Sequence, residues 1–172
     1  MKLLVLNGGS CSGKSTIIKY IMNKKKDNVF QLSYDSLKWL FSNYSSDKHY
    51  KDVQKIILSI AKTIFKMKYV VISDSSLYKR SRDKLIALAI RAGYEIVEVN
   101  LEADRDVLTK RFEERIASAL LSPEKRISNL SKDRYIELLN IFEREKNPRA
   151  IKFNTGTQSV EEISESIIKL LK

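Results

Sequence analysis

Short runs of apolar residues alternate along the chain with longer stretches in which apolar residues recur every three or four positions. The short runs predict strands and the longer stretches predict amphipathic helices. Strands are predicted at residues 2–7, 29–34, 69–73, 94–100 and 150–154. Helices are predicted at residues 16–23, 35–41, 50–66, 79–92, 133–144 and 159–171, with one more beginning near residue 104. This alternation predicts a three-layer α/β fold with a five-stranded parallel sheet.

Several residues mark the ends of these elements. Gly93 follows the helix at 79–92 and is a favoured C-terminal cap, and Ser159 with Glu162 has the spacing of a capping box. Residues 118–132 are polar and interrupted by Pro123, which is typical of a mobile lid. We expect a single domain over residues 1–172, with a helical lid at approximately 111–132.

One segment carries a strong chemical signal. Residues 8–16, GGSCSGKST, fit the pattern GxxxxGK[ST] and lie between a predicted strand and a predicted helix. Such a loop surrounds phosphates with backbone N–H groups. The residues expected to bind ATP here are Gly8, Gly9, Ser10, Cys11, Ser12, Gly13, Lys14, Ser15 and Thr16. Lys14 would reach the β and γ phosphates, and Ser15 would offer its hydroxyl to Mg²⁺.

Composition narrows the class of protein. The 172 residues include 32 Lys and Arg against 21 Asp and Glu, and the net charge of +11 favours anionic partners such as ATP or a nucleic acid. No apolar run approaches the roughly 20 residues of a membrane helix, and the only cysteine, Cys11, excludes an internal disulfide. We therefore expect a cytoplasmic protein without a membrane partner, while the oligomeric state is left open.

Two carboxylates follow predicted strands. Asp35 comes after the second strand, which we place beside the phosphate loop, where a carboxylate could deprotonate an acceptor hydroxyl. Alternatively, Asp35 is the N-cap of a helix, because a helix is predicted to start just after it. Asp74 ends the third strand, where it could hold Mg²⁺ or order the acceptor, and its alternative is an ordinary turn residue.

Two arginines lie four residues apart and hence on one face of a helix. Arg111 and Arg115 could stabilise the negative charge that phosphoryl transfer spreads over the migrating group. They could also form a solvated face paired with Glu113 and Glu114.

The segments containing these residues resemble a known family. The phosphate loop, LSYDSLKWLF, VVISDSSLYKRSRDKL and LTKRFEER occur in the order and spacing of the kinase domain of polynucleotide 5'-hydroxyl kinases and their small P-loop relatives. The resemblance implies that Asp35 is the general base and that Arg111 and Arg115 contact the nucleotide and the transferring phosphate. It also implies that the loop with Thr155 and Gly156 lies beside the adenine.

Two departures concern the acceptor. Lys38 stands where that family has an arginine on the acceptor's phosphate, and Ser76 stands where an asparagine is expected. A weaker resemblance, to chloramphenicol phosphotransferases, rests on LNGGSCSGKS and the triplet at residues 35–37. Trp39, with its aromatic neighbours, could stack on a base or drug ring, or form part of the core.

The sequence thus predicts an ATP- and Mg²⁺-dependent phosphotransferase that moves the γ-phosphate to a hydroxyl, with the 5'-hydroxyl end of a nucleic acid as the best candidate. A small-molecule kinase acting on a nucleoside, a sugar or an antibiotic is one alternative, and a regulatory nucleotide-binding ATPase is another. The expected catalytic residues are Lys14, Asp35 and Arg115. Ser15 and Asp74 are expected at the metal, and Asp35, Lys38 and Asp74 at the acceptor.

Overall fold

The computed structural model describes residues 1–25, 28–74, 78–120 and 131–172, without the side chains of residues 119 and 120. The strands in these ranges are β1 (Lys2–Gly8), β2 (Val29–Leu32), β3 (Val70–Ser73), β4 (Glu95–Glu102) and β5 (Ile151–Asn154). The helices are α1 (Lys14–Lys24), α2 (Tyr34–Lys38), α3 (Ser46–Lys66), α4 (Lys79–Arg91), α5 (Arg105–Leu120), α6 (Lys132–Glu145) and α7 (Val160–Leu170).

The strands form one parallel sheet in the order β2-β3-β1-β4-β5. The central strand β1 pairs with β3 and β4, so that Leu3 lies opposite both Val71 and Ile96. Because neighbouring strands run in the same direction, all their carboxyl ends meet at one edge of the sheet. The predicted α/β fold with a five-stranded parallel sheet is confirmed.

Both faces of β1 are buried. Leu3 and Val5 belong to a core with α3 and α4, whereas Leu4 and Leu6 belong to a core with α1 and α7. This alternation follows from the two-residue period of a strand, and burial on both faces explains why β1 is a continuous apolar run. Helices on the two faces give the three layers.

A third cluster joins the phosphate loop to α5 and α6. It contains Leu108 and Phe112 from α5 with Tyr135 and Leu139 from α6, and Cys11 of the loop packs against it. Helix α5 continues to Leu120, and it therefore includes the first residues of the predicted lid segment 118–132. The rest of the predicted lid, residues 121–130 with Pro123, lies outside the described residues.

Local signals fix several helix ends. Gly93 follows α4 with a φ of 79°, and Ser159 and Glu162 form the expected capping box at α7. Helix α3 begins at Ser46, four residues before the predicted start at residue 50. The backbone N–H of Ser45 donates to Nδ1 of His49 over 3.0 Å, which organises the first turn without an apolar repeat. None of the helices in the described ranges has the length and apolarity required to cross a membrane.

Candidate active site

The loop between β1 and α1 turns sharply at two positions. Cys11 and Gly13 have positive φ values of 64° and 86°, and the N–H of Ser12 donates to the carbonyl oxygen of Gly9 over 3.3 Å. Alternating backbone conformations of this kind direct successive N–H groups toward one concavity, which suits an anion. Gly13 is also the N-cap residue of α1 and has no side chain that could cap the helix, so the positive end of α1 faces the same concavity.

Two glycines of this loop are closely packed. A Cβ added to Gly8 would collide with Oγ of Ser12, and one added to Gly9 would lie 2.6 Å from Cδ2 of Leu139. Gly9 therefore lets α6 pack directly against the phosphate loop. The sequence pattern alone identified the glycines but not this contact with α6.

The ammonium group of Lys14 lies over the loop. Its Nζ donates to the carbonyl oxygens of Gly8 at 2.7 Å and Gly9 at 2.9 Å. Burial lowers the pKa of Lys14, whereas Asp74 and Asp35 act to raise it. Arg115 acts to lower the same pKa. Since charges affect a pKa over short distances, Asp74, Asp35 and Arg115 lie within electrostatic range of Lys14.

Asp74 follows β3, as predicted, and β3 is the neighbour of the strand that leads into the phosphate loop. Burial raises the pKa of its carboxyl group, while the charge of Lys14 and a hydrogen bond from Ser33 act in the opposite direction. Its buried Oδ1 has no hydrogen-bond partner among the residues that the structure describes. The carboxylate thus has an unused oxygen at the edge of the sheet where a cation would stabilise it.

Asp74 and Ser15 fit an Mg²⁺ ion. They line one cavity and offer a carboxylate and a hydroxyl, the oxygen ligands that Mg²⁺ prefers alongside phosphates and water. Within the described ranges no group of three or more His, Cys, Asp or Glu residues could hold a metal ion. An Mg²⁺ ion held by Ser15 and Asp74 would take its remaining ligands from phosphates and water.

Asp35 is the second residue of α2. The helix is capped by Ser33, whose Oγ accepts from the N–H of Ser36 over 3.4 Å, so the N-cap alternative for Asp35 is wrong. The expected position of its strand is also wrong, because β3 lies between β1 and β2. Asp35 nevertheless lines the same cavity as Ser15 and Asp74.

Lys38 contacts Asp35. Its Nζ lies 2.7 Å from Oδ1 of Asp35 and 5.0 Å from the centre of the Trp39 ring. The Lys38 side chain is only 13% exposed, whereas that of Asp35 is 73% exposed. Lys38, which we expected at the acceptor, thus pairs with the candidate base from its i, i+3 position on α2.

The cavity beside the phosphate loop has a volume of about 430 Å³. It is lined by Ser15, Lys19, Met22, Gln31, Ser33, Asp35, Ser36, Trp39 and Asp74. Sequence reasoning missed the contributions of Lys19, Met22, Gln31 and Ser33. Lys19 and Met22 could have been found, because they lie four and seven residues after Ser15 and hence on the same face of α1.

The two arginines of α5 interact with different parts of the site. Arg111 donates from Nη1 to Oγ1 of Thr155 over 3.1 Å and from Nη2 to the Thr155 carbonyl oxygen over 2.6 Å. These hydrogen bonds fix the loop that begins with Thr155 and Gly156. A Cβ added to Gly156 would lie 3.7 Å from Cβ of Ala103. Arg115 lies one turn later, is exposed, and acts on the Lys14 pKa. Ser76 lies outside the described residues.

Solved structures share this fold across nearly the whole chain. Kti12 of Chaetomium thermophilum in complex with ADP-AlF3 has 16% identity and a TM-score of 0.71, with 97% of each chain covered. The APS kinase CysC of Mycobacterium tuberculosis in complex with AMPPNP and APS has 16% identity and a TM-score of 0.69, with 99% of this chain and 96% of that chain covered.

A chain of the Pnkp1/Rnl/Hen1 RNA repair complex has 22% identity and a TM-score of 0.64, with 92% of this chain and 51% of that chain covered. Its identity is higher than those of Kti12 and the APS kinase, but its TM-score is lower. These structures show a P-loop kinase-like fold and do not single out the polynucleotide kinases.

No curated protein sequence matches the chain. The family model described as "Chromatin associated protein KTI12", in contrast, matches residues 1–170. The fold and the loop at residues 8–16 are those of a nucleotide-binding, kinase-like domain. Because the family match extends over almost every residue, this P-loop domain belongs to the KTI12 family.

Proposed function

We propose that the chain is an ATP- and Mg²⁺-dependent phosphotransferase that moves the γ-phosphate to a hydroxyl group. The observation that carries this proposal is the open carboxylate of Asp35, 73% exposed, in the cavity that also contains Ser15 and Asp74. A protein that only hydrolyses ATP does not require an acceptor-sized cavity with its own carboxylate next to the phosphate loop.

The position of each candidate residue indicates its role in the reaction. The loop N–H groups and Lys14 hold the β and γ phosphates, and Ser15 and Asp74 hold Mg²⁺, which neutralises phosphate charge when bound. Arg115, near Lys14, stabilises charge on the transferring group, whereas Arg111 shapes the loop at Thr155 that would contact the adenine.

Asp35 takes up the proton in the reaction. The acceptor hydroxyl gives its proton to the Asp35 carboxylate while its oxygen forms a bond to the γ phosphorus. The bond from that phosphorus to the β–γ bridging oxygen breaks, and the electron pair leaves with ADP. Lys38 occupies Oδ1 of Asp35, and it thereby fixes the orientation of the carboxylate as it receives the proton.

The 5'-hydroxyl end of a nucleic acid is the acceptor that charge supports best. The net charge of the chain is +11, and a second cavity of about 550 Å³ is lined by Lys79, Arg80 and Lys84 of α4 with Asp83, Ala87 and Glu145. Helix α4 begins at Lys79, shortly after Asp74, so the first turn of this helix lies near the reacting edge of the sheet. The second cavity has three cationic and two anionic side chains, and its cations could contact the phosphates of a nucleic acid.

A regulatory ATPase is the second candidate. Membership in the KTI12 family favours it, because that family is described by its association with chromatin and not by an acceptor. In such a protein, ATP hydrolysis would change the affinity for a partner, and the Asp35 cavity would hold a segment of that partner or a water molecule.

Transfer of labelled phosphate decides between the two. We would incubate the protein with γ-labelled ATP and Mg²⁺ and with 5'-hydroxyl DNA and RNA, nucleosides, sugars or chloramphenicol. Wild-type protein should label an acceptor faster than it hydrolyses ATP. Asp35→Asn should retain ATP binding and lose about 10²- to 10⁴-fold in transfer, as expected for a general base.

The matched control is Asp52→Asn. Asp52 is an exposed residue of α3 paired with Lys55 at 3.1 Å, and it does not line the cavity. Its replacement should leave transfer unchanged. Rapid hydrolysis without any acceptor, equal in wild-type protein and Asp35→Asn, would instead establish the ATPase.

A further inference from the structure

The cavity extends well beyond the phosphate loop along α1. Ser15, Lys19 and Met22 lie on one face of that helix, and seven residues of α-helix rise about 10 Å. Ser15 is at the loop end and Met22 is at the far end. The cavity is therefore a groove that leads from the reacting phosphate to a region with its own side chains.

The opposite wall comes from the edge strand β2. Val29, which packs in the α1 core, shares a face of the strand with Gln31 and Ser33, because alternate residues point the same way. Gln31 is paired in register with Ile72, another residue of that core. The Gln31 amide thus lies beside apolar core residues, at the edge of the sheet where the groove lies.

Trp39 closes the groove at the end of α2. The Trp39 side chain is 37% exposed, although Leu37, two residues earlier, packs against the core. The ammonium of Lys38 lies 5.0 Å from the ring centre and also pairs with Asp35 at 2.7 Å. One cation therefore links the indole ring to the candidate base, and it fixes the position of one relative to the other.

We propose that this groove is the acceptor subsite and that it holds a single nucleoside unit. The base stacks on Trp39, Gln31 donates and accepts hydrogen bonds at the base edge, and the sugar hydroxyl reaches Asp35. A volume of about 430 Å³ suits one nucleoside unit, such as the terminal unit of a nucleic acid whose remaining strand lies outside the groove. This assignment rests on the proposed phosphotransferase function, because it names what that reaction acts on.

Each wall contributes a chemistry that a nucleoside needs. An aromatic platform stacks on any base, and an amide carries both a donor and an acceptor. A sugar offers the indole C–H groups in place of an aromatic ring, and an aryl antibiotic lacks the adjacent donor and acceptor of a base edge. The combination of Trp39 and Gln31 in one groove therefore favours a nucleoside over the other small acceptors.

Intrinsic fluorescence tests the proposal directly, because Trp39 is the only tryptophan in the chain. With the nucleotide site saturated by ADP and Mg²⁺, we would titrate the protein with cytidine, thymidine, glucose and chloramphenicol. Cytidine and thymidine should quench the emission saturably, and glucose should not. Absence of quenching by both nucleosides, or saturable quenching by chloramphenicol alone, would overturn the proposal.

Variants assign the effect to the two walls. Equilibrium dialysis with labelled cytidine should show binding weakened by about 5- to 150-fold in Trp39→Ala, with part of the affinity retained in Trp39→Phe. Gln31→Ala should weaken binding by about 2- to 10-fold. Leu40→Ala, which removes a neighbouring side chain that is 78% exposed and outside the groove lining, should change nothing. Equal binding in Trp39→Ala and wild-type protein would contradict the stacking.

The nucleoside subsite and the phosphotransferase function can be refuted independently. If a sugar is phosphorylated while nucleosides neither bind nor react, the phosphotransferase stands and the nucleoside subsite falls. If cytidine binds on Trp39 but no acceptor is ever labelled, the subsite stands as a binding site and the transferase function falls.

Discussion

Arg82 and Glu98 form an ion pair inside the protein, with Nε of the arginine 3.2 Å from Oε1 of the glutamate. Their side chains are only 3% and 15% exposed. Arg82 also donates from Nη2 to the carbonyl oxygen of Glu145, the last residue of α6, over 2.8 Å. The pair therefore connects α4, β4 and the end of the helix that packs on the phosphate loop.

Replacement of Arg82 should be strongly destabilising. Arg82→Met would leave the Glu98 carboxylate buried without its partner charge, and breaking a buried pair in this way costs about 3–5 kcal/mol. Urea denaturation would measure the loss in the free energy of unfolding. Lys55→Met, which breaks an exposed pair with Asp52, should change that free energy by less than about 1 kcal/mol. Equal small losses in both variants would contradict the structural importance of Arg82.

Asp74 should make stability depend on pH. Its pKa in the folded protein is raised above the ordinary value of 3.8, so the folded state binds a proton here more tightly than the unfolded chain does. Stability from this group is consequently lost as the pH rises from about 3.8 through the raised pKa. Asp74→Asn should increase the free energy of unfolding of the nucleotide-free protein at neutral pH and flatten its pH dependence.

Denaturation with urea at a series of pH values measures this effect. Asp52→Asn, at an exposed position, is the control and should follow the wild-type pH dependence. If Asp74→Asn were less stable than wild-type protein at neutral pH, the unfavourable burial of the carboxylate would be refuted. The same variant should lose Mg²⁺-dependent turnover.

Gly9 and Leu139 should be energetically coupled. Gly9→Ala places a methyl group 2.6 Å from Cδ2 of Leu139, and such overpacking costs about 1–3 kcal/mol. The cost of Gly9→Ala should fall markedly when Leu139 is already alanine, because the colliding methyl is gone. A double-mutant cycle of unfolding free energies checks this, and strictly additive effects would show that the loop and α6 do not meet.

Arg111 and Arg115 should have separable kinetic effects. Arg111→Ala removes two hydrogen bonds to Thr155, so the KM for ATP should rise about 10-fold with kcat nearly unchanged. Arg115→Ala should instead lower kcat by more than about 10²-fold with little effect on ATP binding. Steady-state kinetics at varied ATP concentration measures both parameters. The reverse pattern would exchange the roles of the two arginines.

The sequence predicted those parts of the fold that depend on neighbouring residues. The phosphate loop follows from the spacing of Gly8, Gly13 and Lys14, and the start of α7 from Ser159 and Glu162. Each of these signals acts within one turn of the chain. A reader of the sequence can therefore recognise them without knowing how the elements pack.

The remaining features depend on how distant elements pack. Strand β3 lies between β1 and β2, and no local sequence pattern indicates that Asp35 follows an edge strand. Likewise, Ser33 and not Asp35 caps α2, since both residue types are good caps and tertiary packing selects between them. Gln31 could not be assigned to the groove before the edge position of β2 was known.

The central position of β1 has a consequence for folding. Its partners β3 and β4 begin at Val70 and Glu95, and the contact of Gly9 with Leu139 closes a still longer loop in the chain. Contacts between residues so far apart form late and slowly, because the entropy of loop closure opposes them. Although the phosphate loop is encoded within the first sixteen residues, its packing depends on strands and a helix that lie far along the chain. Nucleotide binding will therefore act as a reporter of complete folding, and ATP will stabilise the domain as a whole by mass action.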